Sequence, residues 1–178
     1  LCIGDMYLNG DGVVKDENKA IEYFKKAFNE GDIPAIDWIA GVYFDKNEYE
    51  KALKYINIGI EYGRSYCMKL LGFIYEEEEK YEKAFEQFKK SSDLGDIESK
   101  KYLAQYYIEG LGVEKSLVKG IKILEDLLEY YTNHPDKEND EIDHINNYLD
   151  SKGAIFLHIG KIYYDEENYA EALKNYEM

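Results

Sequence analysis

Small residues return along this chain at a fixed distance, each followed three residues later by a tyrosine. The pairs are Gly4 with Tyr7, Ala40 with Tyr43, Gly72 with Tyr75 and Ala104 with Tyr107. A second small residue recurs in the same order, at Ala20, Ala52, Ala84 and Gly120. The tyrosines are spaced by 36, 32 and 32 residues and the second small residues by 32, 32 and 36. A unit of this size cannot bury its own apolar face, so it is stable only when neighbours stack on it.

Each unit reads as two helices joined by a turn. In the third repeat Cys67, Leu70, Leu71, Ile74 and Tyr75 recur at three and four residues, one apolar face of a helix. Gly72 stands where the paired helix must come close. The second helix, from about Tyr81, carries Ala84, Phe85, Phe88 and Leu94 at similar spacing, and Gly95-Asp96 ends it. Gly31-Asp32 and Gly63-Arg64 are the matching stops of the first two repeats.

The two spacings come from the turn inside the pair. It is long at Asn9-Gly10-Asp11-Gly12-Val13 and at Glu109-Gly110-Leu111-Gly112-Val113, and four residues shorter at Phe44–Tyr49 and Glu76–Tyr81. The Gly-x-Gly-Val stretch follows no strand and lacks the Lys-Ser/Thr of a phosphate loop. It reads as an extended turn, with Val13 or Val113 plugging the helix pair.

These motifs carry a family resemblance. Tyr7-x-x-Gly10-x-Gly12-Val13, followed by Lys19-Ala20 and by Ala27 to Gly31, resembles the Sel1-like repeat. The shorter units, with Leu71-Gly72, Tyr75, Tyr81, Ala84 and Phe88, are similar to the related tetratricopeptide repeat. The resemblance implies an all-α, right-handed α/α solenoid of stacked antiparallel helix pairs, used as an adaptor scaffold for protein complexes. Five repeats are expected, at about 1–32, 33–64, 65–96, 97–131 and 152–178. An insertion at about 132–151 separates the last two. Two departures stand out: Gly120 replaces the usual alanine, and Leu127–Tyr131 lacks a glycine stop. In the insertion Ile142, Ile145 and Leu149 keep a helical spacing, which predicts a helix from about Asp140 after an acidic loop at Asn133–Asn139. The sequence starts and stops inside repeats, at Leu1 and Met178, and is expected to be an excerpt of a longer chain.

Charge and composition narrow the function. A net charge of −15 opposes binding to nucleic-acid phosphates and anionic lipids and favours basic partners. No apolar run is long enough to span a bilayer. Cys2 and Cys67 lie two repeats apart, too far for a disulfide, and read as free thiols of a reducing, cytoplasmic setting. His134, His144 and His158 have no metal-ligand spacing, the acidic cluster Asp11, Asp16 and Glu17 does not follow a calcium loop, and no nucleophile motif is present. Glu76–Glu79 reads as a solvated helix end or turn. The expectation is therefore a non-enzymatic protein without cofactor or metal that binds a protein or peptide partner. The alternative is the non-catalytic targeting or regulatory arm of a longer enzyme. Its open apolar ends are expected to allow dimerisation.

The resemblance also places the partner. In such arrays the first helices line the concave side, and positions three before, one after and four after the small residue are expected to face outward. That stripe gives the candidate contacts Asp37, Phe44, Lys69, Phe73, Lys101, Gln105, Ile108, Lys161 and Tyr164. Lys69 and Lys101 are expected to grip a carboxylate of the partner, with Phe44 and Phe73 forming apolar pockets.

Overall fold

The computed structural model describes residues 3–134 and 152–176. It is helical throughout, with no strand among the described residues. The chain divides into two compact units, Leu1–Asp96 and Ile97–Met178, at the end of the third repeat. The first unit holds α1 (Ile3–Asn9), α2 (Glu17–Asn29), α3 (Ala35–Asp45), α4 (Tyr49–Glu61), α5 (Ser65–Glu77) and α6 (Tyr81–Asp93). The second holds α7 (Ile97–Glu109), α8 (Leu117–Asn133), α9 (Lys152–Asp165) and α10 (Tyr169–Tyr176). Each odd-numbered helix packs on the even-numbered helix that follows it, as the repeat pattern predicts. The predicted helix from Asp140 lies outside the described residues.

The recurring small residues set the distance between paired helices. A Cβ on Gly4 would stand 2.5 Å from the Phe24 ring, and one on Gly72 would stand 2.6 Å from the Phe88 ring. Where the opposing residue is aliphatic, at Ile56 or Leu124, the first helix carries Ala40 or Ala104 instead, and all four are fully buried. Ring and methyl thus compete for one volume at interior packing density. The departure at Gly120 has the same cause: a Cβ there would meet Ile108 Cγ1 at 2.5 Å and the Ala104 carbonyl oxygen at 3.0 Å.

The lysine preceding the second small residue covers the tyrosine of its own pair. Lys19, Lys51, Lys83 and Lys119 place Nζ 5.1, 5.6, 5.6 and 5.2 Å from the ring centroids of Tyr7, Tyr43, Tyr75 and Tyr107. Contacts of this kind contribute about 0.5–1 kcal/mol each at exposed sites. In the last pair Glu171 takes that position.

Long and short turns close on the same hydrogen bond. The amide opening each second helix donates to the tyrosine carbonyl: Asp16 to Tyr7 at 2.8 Å, Glu48 to Tyr43 at 2.9 Å, Lys80 to Tyr75 at 2.8 Å, Ser116 to Tyr107 at 2.7 Å and Asn168 to Tyr163 at 2.8 Å. After long turns the helix also gains a side-chain cap, Asp16 accepting from Lys19 N at 3.0 Å and Ser116 from Lys119 N at 3.4 Å. The short turns instead hold Asn47, Glu79 and Glu167 in the left-handed region, with φ of 57°, 56° and 59°. Val13 and Val113 are only half-buried.

Gly31, Gly63 and Gly95 stop α2, α4 and α6 with positive φ. The next amides, of Asp32, Arg64 and Asp96, donate back to Ala27, Gly59 and Ser91 carbonyls at 3.0, 2.9 and 3.2 Å. This geometry corrects Leu94. It is the C-cap of α6, 55% exposed, rather than part of the apolar face. Without a glycine, α8 runs on to Asn133, where His134 Nδ1 lies 2.9 Å from the Tyr130 carbonyl oxygen.

Candidate binding cleft

The first helices of three successive repeats, all within the first unit, enclose a cleft of about 340 Å³. Leu8 comes from α1, and Asp37, Trp38, Gly41, Val42 and Asp45 come from α3, with Pro34 just ahead of it. Arg64 and Tyr66 reach in from the start of α5. Trp38 stacks on Phe24, with centroids 5.8 Å apart and planes at 16°, yet is 51% exposed. One indole face rests on the core while much of the ring meets solvent.

The wall opposite is fixed by charge and close approach. Asp37 Oδ2 accepts from Arg64 Nε at 2.9 Å and from Arg64 Nη2, and Asp37 Oδ1 accepts from Cys67 Sγ at 3.3 Å. Burial, and then the neighbouring Asp37 carboxylate, push the Cys67 thiol up, so it stays a donor. A Cβ on Gly41 would lie 3.0 Å from the Tyr66 hydroxyl, so the glycine admits that tip against α3. Lys69 supports the ring from elsewhere. Its Nζ lies 5.0 Å from the Tyr66 centroid and 3.7 Å from Asp96 Oδ2.

The outward stripe does not stay together as one exposed surface. Asp37 lines the cleft. Lys69 is 7% and Lys101 6% exposed, with Lys101 Nζ 5.6 Å from the Tyr131 centroid. Phe44 and Phe73 are half-buried and 6.1 Å apart, packing on Tyr49 and Phe88 respectively. In the second unit Gln105 donates to Glu109 at 2.9 Å, and Ile108 fills the space beside Gly120. Lys161 and Tyr164 are exposed. Trp38, Val42, Arg64 and Tyr66, which line the cleft, lie outside the stripe. The readable signal was the sole tryptophan, on one helix face with Gly41, Val42 and Asp45 at three, four and seven residues.

Other chemistry is sparse. Among the described residues no group of three His, Cys, Asp or Glu side chains could hold a metal ion. Cys67 is a buried free thiol, and Cys2 lies outside the described residues. His158 sits half-buried on α9; burial, and then the charge of Lys161, lower its pKa against the opposing pull of Glu109. No helix among the described residues is long and apolar enough to cross a membrane. A second cleft, of about 610 Å³, lies in the second unit between α8 and the α9–α10 turn, with Glu125, Asp126 and Glu166 in its lining.

Solved structures with this arrangement are themselves helical repeat proteins. The Sel1 repeat protein from Oxalobacter formigenes superposes with a TM-score of 0.71 at 18% identity, covering 98% of this chain and 68% of that one. The protective antigen c5321 of uropathogenic Escherichia coli, which has an SLR fold, gives 0.63 at 22% identity, covering 98% of this chain but 44% of its own. A kinesin light chain from Podosopora anserina with nearly identical TPR-like repeats gives 0.54 at 12% identity over 97% of this chain and 87% of its own. No curated protein matches the sequence significantly. The family model for the Sel1 repeat matches residues 2–32, 65–96 and 98–125, just over half of the sequence. Residues 33–64 and the last pair, which it does not match, close their turns on the same tyrosine carbonyl bond. The chain belongs to the Sel1 repeat family.

Proposed function

We propose that this chain is a non-catalytic interaction scaffold that binds a peptide segment of a protein partner across the first helices of its repeats. The cleft lined by Trp38 is the anchoring point. The observation that carries this reading is a half-exposed indole, stacked on the core, in a cleft that three successive repeats build. An exposed aromatic ring in a preformed pocket is the usual form of a binding hot spot. Asp37 and Arg64 form the polar rim, and Lys69 holds Tyr66 in place. Lys161, Tyr164 and Gln105 would contribute through separate contacts on the second unit. A role as the targeting arm of a longer enzyme would use the same cleft.

Panning a random-peptide library on the purified chain tests this, in parallel with a Trp38→Ala chain of equal helicity. Peptides enriched on the parent should bind the variant at least about thirtyfold more weakly, the effect of losing an aromatic anchor. Equal binding to both chains would remove the cleft from the function. A Lys69→Glu/Lys101→Glu chain in the same experiment tests the carboxylate grip. Retained binding there separates the lysines from the partner.

A further inference from the structure

We infer that the cleft of the second unit is a separate docking site, for a basic segment of a partner protein that carries an aliphatic residue beside its lysines or arginines. It shares no residue with the Trp38 cleft and does not rest on that reading. The first observation is an uncovered apolar floor. Ile121 and Ile162 form its buried base, and Leu117, Tyr163 and Val118 line it further out, Val118 being 80% exposed near the start of α8. At about 610 Å³ the cleft has the size of a site for a few side chains.

The second observation is the sign of the rim. Glu125, Asp126 and Glu166 stand exposed around the floor with one basic residue, Lys122, which leaves an excess of two negative charges. Among the described residues no ion pair or side-chain hydrogen bond engages these three carboxylates. Val118 and Glu125 are seven residues apart on α8, so two turns, roughly 10 Å, separate an apolar end from an acidic one.

Floor and rim together select the occupant. Lysine and arginine lay an aliphatic stem on apolar surface and keep the charged head in water. A basic segment can therefore cover the Val118 end with its aliphatic side chain and bring a cation to the carboxylates. The charge of the whole chain, −15, draws such segments toward it. An acidic segment would meet like charge. A wholly apolar segment would take water from the carboxylates and put nothing in its place. The acids do not make a metal site, because no group of three His, Cys, Asp or Glu side chains among the described residues could hold an ion.

Valine-methyl NMR on the full chain reads both clefts at once, because Val118 lines this one and Val42 the other. Val118→Ile and Val42→Ile chains assign the signals. The probes are acetyl-Gly-Leu-Arg-Lys-Leu-Gly-amide and a neutral version with citrulline for arginine and glutamine for lysine. We expect the basic peptide to shift Val118 and to bind there at least about threefold more tightly than the neutral one. Added salt should erode that preference. Glu125→Gln/Asp126→Asn should abolish it. Glu82→Gln/Glu86→Gln, which removes two exposed charges from α6, should leave it intact. Loss of the preference in both variants assigns it to net charge and overturns the site, and its survival in Glu125→Gln/Asp126→Asn does the same. Equal affinity of the two peptides at Val118, or no Val118 shift at millimolar peptide, also overturns it. A shift confined to Val42 overturns this second site and leaves the Trp38 reading standing.

Discussion

At the scale of single residues, the helix pairs are governed by a volume rule. A ring on the second helix requires glycine on the first, while isoleucine or leucine permits alanine. Gly72 faces the Phe88 ring and Ala104 faces the space of Leu124. The rule predicts a change of sign. Gly72→Ala gains about 1 kcal/mol of helix propensity but forces a Cβ into the Phe88 ring, an overpacking cost of about 1–3 kcal/mol. Alone it should therefore destabilise. In a Phe88→Leu background the same change should stabilise, by up to about 1 kcal/mol. Urea melts of the four chains measure this; a Gly72→Ala effect of the same sign in both backgrounds would refute the rule.

At the scale of elements, the turns show two solutions to one problem. Each must deliver an amide to the tyrosine carbonyl at about 2.7–2.9 Å. The long turns do so with glycines at positive φ and a side-chain cap, and the short turns do so by holding one non-glycine residue left-handed. That conformation costs an ordinary residue roughly 1–2 kcal/mol, and asparagine less. Glu79→Gly should therefore raise the thermal midpoint, for a net gain of a few tenths to about 1 kcal/mol once glycine's extra unfolded-state entropy is subtracted. Asn47→Gly should gain less or nothing, because Asn47 tolerates the conformation and its Oδ1 accepts from the Tyr49 hydroxyl at 3.0 Å. Parallel melts of the two variants check the order; a larger gain at Asn47 would contradict it.

At the scale of the molecule, the chain packs as two units divided after Asp96. The first contains three complete helix pairs, a buried cluster from Ala20 to Ile74 and the Trp38 cleft. Three stacked repeats are about the minimum for a stable array, and the second unit has two described pairs. A fragment of residues 1–96 should therefore melt cooperatively by circular dichroism, and a fragment of residues 97–178 should be the less stable of the two. A broad, uncooperative transition for the first fragment would show that its stability depends on the rest of the chain. If it folds, it should bind the peptides selected on the full chain, since the Trp38 cleft lies wholly within it.

What the sequence determined by itself is local and periodic. Small residues at helix crossings, glycine stops and the recurring tyrosine all act within one repeat, over distances a single period contains. The departure at Gly120 was visible as well, although its cause, the inward lean of Ile108, was not. The tertiary structure alone decided which side chains face solvent. Offsets along one helix placed Lys69 and Lys101 outward and passed over Trp38. They carry no information about how the next repeat folds back over that helix. Arg64 and Tyr66 reach onto α3 from the following pair, and Asp96 draws Lys69 inward from the end of the unit. Exposure on a stacked array is set between repeats, where the period that fixes each repeat no longer applies.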